Sequence, residues 1–107
     1  TTIVAMNELT THNQIFSRRL KEVRLAQGLS QKRLCILAGL DEFVASTRIN
    51  RYEKGVHQAN IEVVQQLSAV LEVPLAYFYT EDADLASLLL GWIKMDAEKK
   101  KRILAMI

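Results

Sequence analysis

The sequence has few of the residues that build disulfide scaffolds, linkers and metal sites. Its 107 residues include one cysteine, one proline, four glycines and two histidines. A single cysteine excludes a disulfide framework, and so little glycine and proline excludes a collagen-like or linker-like chain. His12 and His57 lie far apart and, with one cysteine, give no zinc-ligand spacing. We therefore expect no metal ion and no cofactor.

Long hydrophobic runs and a strong charge of one sign are also absent. No stretch of about 18 residues is free of charged side chains, so the sequence predicts no membrane-spanning helix. Half of the residues are hydrophobic and the formal net charge is only +2, which is the composition of an ordered domain. The single cysteine and the lack of a signal peptide favour a cytoplasmic protein.

The charges are distributed unevenly along the chain. Residues 17–57 carry nine basic and four acidic side chains, whereas residues 58–98 carry one basic and seven acidic. Another basic run occupies residues 99–102. This asymmetry is typical of a nucleic-acid-binding region joined to a second segment. Charges that simply coat solvated faces are the alternative explanation.

The hydrophobic pattern is that of helices from residue 13 onwards. Phe16, Leu20 and Val23 recur at the i, i+4, i+7 spacing of one helix face. Residues 1–12 lack such a period and are predicted to form a flexible N-terminal arm. No alternating strand pattern flanks a turn pair such as Asn-Gly, so the predicted fold class is all-α.

Capping residues divide this pattern into seven helices. Glycine at positions 28, 39 and 55 ends the first three. The predicted helix starts are the capping side chains Ser30, Asp41, Asn60, either Asp82 or Asp84, and Asp96. A proline at position 74 precedes a short helix over residues 75–79. On the second helix we expect Leu34, Leu37 and Ala38 to be buried and Cys35 to be half-buried.

The second and third helices form a candidate helix-turn-helix. They meet at Gly39, and basic residues flank them. A helix fits the major groove of B-DNA, and polar or arginine side chains on its outer face reach base edges. The second helix begins with Ser-Gln-Lys-Arg at 30–33, which offers a cap, an amide and two cations to a phosphate. Lys32 is therefore expected to contact DNA.

Three segments, in order, carry a resemblance to a known family. They are RRLKEVRLAQGLSQKRLCILAGL at 18–40, STRINRYEKG at 46–55 and NIEVVQQLSAVLEVPLAYFY at 60–79. Together they resemble the phage Cro/C1-repressor-type helix-turn-helix domains, often called the XRE family, over residues 15–79. The resemblance implies a five-helix, lambda-repressor-like DNA-binding domain over residues 13–80. Its third helix, around 43–54, would be the recognition helix.

The resemblance also implies roles for individual residues. Those implied to contact DNA are Gln31, Ser46, Thr47, Arg48, Asn50, Arg51 and Lys54. Ser46 and Thr47 fall on base-reading positions and Arg51 lies one turn later, while Arg48, Asn50 and Lys54 fall on phosphate-facing or flanking positions. Arg24 and Glu53 match a pair that forms a structural salt bridge between the first and third helices.

One stretch departs from the family pattern. Between Gly39 and Ile49 the chain has about four residues more than the family usually has, or roughly one helical turn. Either the recognition helix starts a turn earlier or the turn is a longer loop. Because guanidinium groups reach farther and bond guanine through two donors, we favour Arg48 and Arg51 as base-reading residues.

Residues 81–107 are too apolar for two helices that face water on one side. The residues concerned are Leu85, Leu88, Leu89, Trp92, Ile103 and Ile107. Self-association of two copies would cover them, and folding back on the domain is the alternative. A twofold dimer would match a palindromic double-stranded operator, with half-sites about one helical turn apart.

The sequence therefore predicts a homodimeric, sequence-specific DNA-binding transcriptional regulator, most simply a repressor. The alternative is an antitoxin-like or other protein-interaction module, which would hold a protein partner with the apolar C-terminal helices. An enzyme is not expected, because one cysteine and two isolated histidines provide no nucleophile–base pair.

Overall fold

The structure, a computed structural model, describes the backbone of residues 2–40 and 45–107 and the side chains of residues 12–40 and 47–107. Within these parts the chain is all-helical, as predicted. The elements are α1 (Thr2–Ala26), α2 (Gln31–Leu37), α3 (Ala45–Glu53), α4 (Ile61–Leu71), a 3₁₀ helix (Leu75–Tyr79), α5 (Ala83–Lys94) and α6 (Ala97–Ala105).

The first helix is longer than the sequence pattern predicts. The helix predicted from residue 13 begins at Thr2 instead, and a flexible arm over residues 1–12 stays a prediction. Threonine and valine disfavour a helix only weakly, and adding residues to an existing helix needs no new nucleus. The predicted Asp41 cap lies outside the described residues, as does most of the insertion before α3.

Four helices begin at capping side chains that the sequence predicts. The Ser30 hydroxyl and the Asn60 amide oxygen each accept a backbone N–H of the first turn at 2.9 Å. Asp82, and not Asp84, caps α5, and Asp96 caps α6 in the same way. These bonds satisfy amide groups that the first turn of a helix leaves without a carbonyl partner.

Two helix ends show how the chain reverses between elements. At the end of α2, Gly39 has φ +74°, its N–H bonds the Ile36 carbonyl at 3.0 Å, and the Leu40 N–H reaches the Cys35 carbonyl at 3.1 Å. This is a Schellman motif. The end of α4 has the same left-handed turn, but the residue there is Glu72, with φ +56°. Nothing in the sequence indicates this turn, because glutamate rarely adopts a positive φ.

One hydrophobic core joins α1 to α5. Its largest fully buried side chains are Leu20, Leu34, Ile49, Val64, Leu67, Leu71, Tyr77 and Phe78. On α2 the prediction is partly wrong: Cys35 is fully buried beside Leu34 and Ala38, whereas Leu37 is exposed. A seven-residue helix has only two turns, so its apolar residues are compatible with either of two buried faces that differ by one residue. Packing against the other helices decides which of the two faces is buried.

A buried arginine fastens the end of the 3₁₀ helix to α1. Arg19 is 5% exposed; its Nε donates to the Thr80 carbonyl and its Nη2 to the Glu81 carbonyl, each at 2.9 Å. Its Nη1 pairs with Glu22 at 2.9 Å, and its guanidinium lies 5.8 Å from the centre of the Tyr77 ring. Arg19 is one of the nine basic residues of 17–57, but it is buried and contributes to the fold rather than to an exposed basic surface.

Two substitutions of opposite sign test the helix ends. Glu72→Gly should raise the free energy of unfolding by roughly 0.5–1 kcal/mol, since glycine adopts a positive φ without a Cβ clash. Gly39→Ala should lower it by about 1 kcal/mol, because the strain lies in the backbone even though the added Cβ meets nothing within 4 Å. Urea unfolding at a constant m-value measures both, and shifts of the same sign would contradict this account.

Candidate nucleic-acid interface

The amino-terminal end of α2 is an exposed cationic surface. Lys32 and Arg33 are exposed in its first turn, next to the Ser30 cap. Backbone N–H groups at the start of a helix, together with two cations, suit a phosphate oxygen. Gln31 is half-buried and bonds to residues of α3 instead.

A buried ion pair sets α3 against α1. Arg24 Nε lies 2.6 Å from one Glu53 carboxylate oxygen, and Arg24 Nη2 lies 3.0 Å from the other. The two side chains are only 9% and 3% exposed. The remaining Arg24 nitrogen, Nη1, donates to the Leu29 carbonyl at 2.8 Å, in the turn that leads into α2. One guanidinium thus ties α1, this turn and α3 together.

Gln31 extends this network to α2. Its side-chain amide donates to Glu53 Oε1 at 3.1 Å and to Asn50 Oδ1 at 3.3 Å. Gln31 and Asn50, both implied by the family resemblance to contact DNA, are therefore brought together and bonded to each other. Both N–H donors of Gln31 are used inside the protein, and its observed role is to join α2 to α3. A contact between Gln31 and DNA stays a prediction.

The outer face of α3 presents polar and basic side chains. Thr47, Arg51 and Lys54 are exposed, and Arg48 is half-buried. The side chain of Ser46 lies outside the described ones. The inner face carries Ile49 and Tyr52, which are buried as the spacing predicts. Thr47 and Arg51 therefore lie on a different face of α3 from Ile49 and Tyr52, which hold the helix in place.

A cleft of about 500 Å³ runs along α3 beside the loop that follows it. It is lined by Thr47, Arg48, Arg51, Tyr52, His57 and Gln58. His57 and Gln58 were not among the predicted site residues; the only signal for them is that they follow Gly55, the residue that ends α3. The lining combines two guanidinium groups and an imidazole with hydroxyl and amide groups, and none of the described residues contributes a carboxylate to it.

Arg48 is bonded to Tyr52 in this cleft. Its Nε donates to the Tyr52 hydroxyl at 2.8 Å, and its guanidinium lies 5.9 Å from the centre of the Tyr52 ring. Both contacts come from one turn of α3. For Arg51, by contrast, the described residues provide no hydrogen-bond or ion-pair partner.

Comparison with known proteins assigns the chain to a protein family. The model of the Helix-turn-helix family matches residues 20–78, which is more than half of the chain and runs from α1 through the 3₁₀ helix. The chain belongs to the Cro/C1-type helix-turn-helix family. This is a family of DNA-binding regulators, and the matched residues include α2 and α3, the two helices of the predicted helix-turn-helix.

A solved structure supports the same assignment. The crystal structure of the transcriptional regulator BswR is 42% identical and superposes with a TM-score of 0.78. The match covers 84% of this chain and 89% of that one. No curated protein matches the chain.

Outside the helix-turn-helix, α5 and α6 carry the residues predicted to form a dimer interface. Leu85 and Leu88 are exposed on α5, and Ile107 is 97% exposed at the end of the chain. Trp92 and Ile103 are half-buried. Leu89 is half-buried and packs against the core of its own chain, so its part in a dimer interface stays a prediction. It lies one residue from Leu88, on the side of α5 that faces the domain.

The described residues also bear on two other classes of site, membrane spans and metal sites. Within residues 2–40 and 45–107, no helix combines the length and the apolar composition that crossing a membrane requires. Nor does the described part of the chain hold a group of three or more His, Cys, Asp or Glu residues that could bind a metal ion.

The buried ion pair gives a stability prediction. Glu53→Gln should lower the free energy of unfolding by about 3 kcal/mol, because it leaves the buried Arg24 charge without a counter-charge. Replacing both residues at once, as Arg24→Met with Glu53→Leu, should cost much less, since neither charge is then buried. Urea unfolding of the single and double variants tests this. A single variant that costs under about 1 kcal/mol would contradict the ion pair.

Proposed function

We propose that the protein is a sequence-specific transcriptional regulator that reads the major groove of double-stranded DNA with α3. The observation that carries the proposal is the cleft beside α3, whose described lining includes Arg48, Arg51 and His57 and no carboxylate. DNA is a polyanion whose base edges present hydrogen-bond acceptors in the major groove. Membership of the helix-turn-helix family and the likeness to a transcriptional regulator support the same reading.

The exposed cations divide into two roles in this proposal. Lys32 at the start of α2 and Lys54 at the end of α3 neutralise phosphates and hold the helix-turn-helix in register on the duplex. Arg51 and Thr47, exposed on the outer face of α3, reach base edges. Phosphate contacts supply affinity without sequence preference, and base contacts supply the preference.

Arg51→Ala tests this division of roles. It should relax the preference at one base pair of each half-site and cost about 5- to 150-fold in affinity for the selected sequence, the range of one bidentate contact. Arg102→Ala, which removes the same charge from the exposed surface of α6, is the matched control and should leave the preferred sequence unchanged. Selection from random duplex DNA, followed by titration of the selected duplex, measures both.

The salt dependence of binding separates the phosphate contacts. Lys54→Ala should weaken binding to every duplex by a similar factor and lower the slope of log K against log salt by about 1. Arg51→Ala should instead change the selected sequence. Wild-type protein that enriches no sequence at either of two salt concentrations would sink the proposed function.

A homodimer is the assembly that we propose for this regulator. No residue of α6 is buried, and Leu104, Met106 and Ile107 are all exposed on or after it. On α5, Leu85 and Leu88 add to this apolar surface. Exposed apolar area of this kind marks an interaction surface, and a second copy supplies an identical surface by twofold symmetry.

A twofold dimer fits the simplest regulatory mechanism. Two copies of α3 would contact successive major grooves of a palindromic operator, with half-sites about one helical turn apart. Occupying such an operator would block a promoter, so the proposed role is that of a repressor. Because its proposed ligand is the DNA of the cell, we place the protein in the cytoplasm.

Leu88→Glu tests the dimer. It should convert a dimer into a monomer, because it places a charge in a surface that the dimer desolvates. Leu25→Glu, the same change at an exposed leucine of α1, is the control and should leave the dimer intact. Sedimentation equilibrium reports the mass of each. A wild-type monomer at micromolar concentrations would overturn the dimer and favour a different protein as the partner of α5 and α6, as in an antitoxin-like module.

A further inference from the structure

Tyr52 is a core residue that also lines the cleft beside α3. Its ring is 5% exposed and packs edge-on against Phe16, with ring centres 6.4 Å apart and an angle of 77°. Its carbonyl oxygen lies 2.7 Å from the hydroxyl of Ser17 on α1. These contacts fix the tyrosine from within the domain, and its hydroxyl meets Arg48 at the cleft.

The hydroxyl constrains Arg48 at one nitrogen. Arg48 Nε donates to it at 2.8 Å, so this donor is already used before any ligand arrives. The guanidinium also lies within cation–π distance of the Tyr52 ring. The described residues provide no further hydrogen-bond partner for Arg48, which leaves its two Nη groups. Those groups form the end-on pair of donors that matches the O6 and N7 atoms of guanine.

We propose that Tyr52 is a positioning residue that gives Arg48 a preference for guanine, although Tyr52 itself does not touch DNA. The inference rests on the proposed function and goes one step further, because it names the base and the residue behind the contact. A guanidinium fixed in direction loses less conformational freedom when it binds than a free one does. It also cannot turn to accept a different arrangement of acceptors.

Arg51 offers the contrast within the same helix. No described residue holds its guanidinium, so it can adapt to a base or to a phosphate. Arg48 and Arg51 thus line the same cleft, and only the Arg48 guanidinium is bonded in a fixed direction. The base preference of Arg48 should therefore depend on Tyr52.

Tyr52→Phe is the decisive variant, because it removes the hydroxyl and keeps the ring that packs against Phe16. Tyr77→Phe is the matched control. Tyr77 is also buried, but its hydroxyl has no hydrogen-bond partner among the described residues. Both variants lose one oxygen atom and no charge, so affinity for a scrambled duplex and the salt slope should be the same in both as in the wild type.

The two variants should differ in base preference. At the guanine of each half-site that Arg48 contacts, Tyr52→Phe should lower the preference over other bases by about 3- to 10-fold, whereas Tyr77→Phe should not change it. Arg48→Lys should lower the same preference, since lysine has no pair of planar donors. Adding Tyr52→Phe to Arg48→Lys should then have no further effect, because Tyr52 acts through Arg48.

A measurement without DNA accompanies the selection. In the wild type, the nitrogen-bound proton on Arg48 Nε should give a distinct, slowly exchanging NMR signal, and Tyr52→Phe should abolish it. An unchanged signal would refute the hydrogen bond on which the proposal stands.

The DNA results separate the possible failures. Unchanged guanine preference in Tyr52→Phe overturns the positioning role and leaves the proposed function standing. An equal loss of affinity on all sequences overturns it as well, because Arg48 would then be a phosphate contact. Wild-type protein without any preferred sequence would instead defeat the proposed function, and the role of Tyr52 with it.

Discussion

The structure depends above all on the buried pair of Arg24 and Glu53. The helices of the motif, α2 and α3, have seven and nine residues, and helices this short are unstable alone in water. They acquire a fixed relative orientation because one guanidinium bonds Glu53 on α3 and the Leu29 carbonyl before α2. Gln31 closes the arrangement by reaching Glu53 from α2. A helix that enters a groove about 12 Å wide needs such a fixed orientation.

This arrangement separates the work of α3 between its faces. Ile49 and Tyr52 bury one side, Glu53 is held by the ion pair, and Thr47 and Arg51 are left facing water. A side chain on the outer face of such a helix is attached to a rigid element, so its position relative to the domain varies little. Neither Thr47 nor Arg51 belongs to the hydrophobic core, so the packing of the domain does not depend on these two side chains.

The predictable parts of this molecule are the local ones. A capping serine or aspartate acts on an amide three residues away, so Ser30, Asn60 and Asp96 could be identified from the sequence alone. The pair of Arg24 and Glu53 came from family resemblance, since nothing local links residues 29 positions apart. Arg19 could not be found, because its partners are backbone carbonyls, which every residue has. The Tyr52 hydroxyl was missed because tyrosine on an apolar face is indistinguishable from any other core residue.

The bonds of Arg19 have a consequence for the geometry of an assembly. They hold the carbonyls of residues 80 and 81 against α1, and Asp82, the next residue, caps α5. The direction in which α5 leaves the DNA-binding domain is therefore set by a guanidinium inside that domain. In a dimer joined through α5, this junction would set the relative orientation of the two DNA-binding domains. In the proposed regulator, the number of base pairs between the two halves of an operator would then depend on a side chain that is buried inside each subunit.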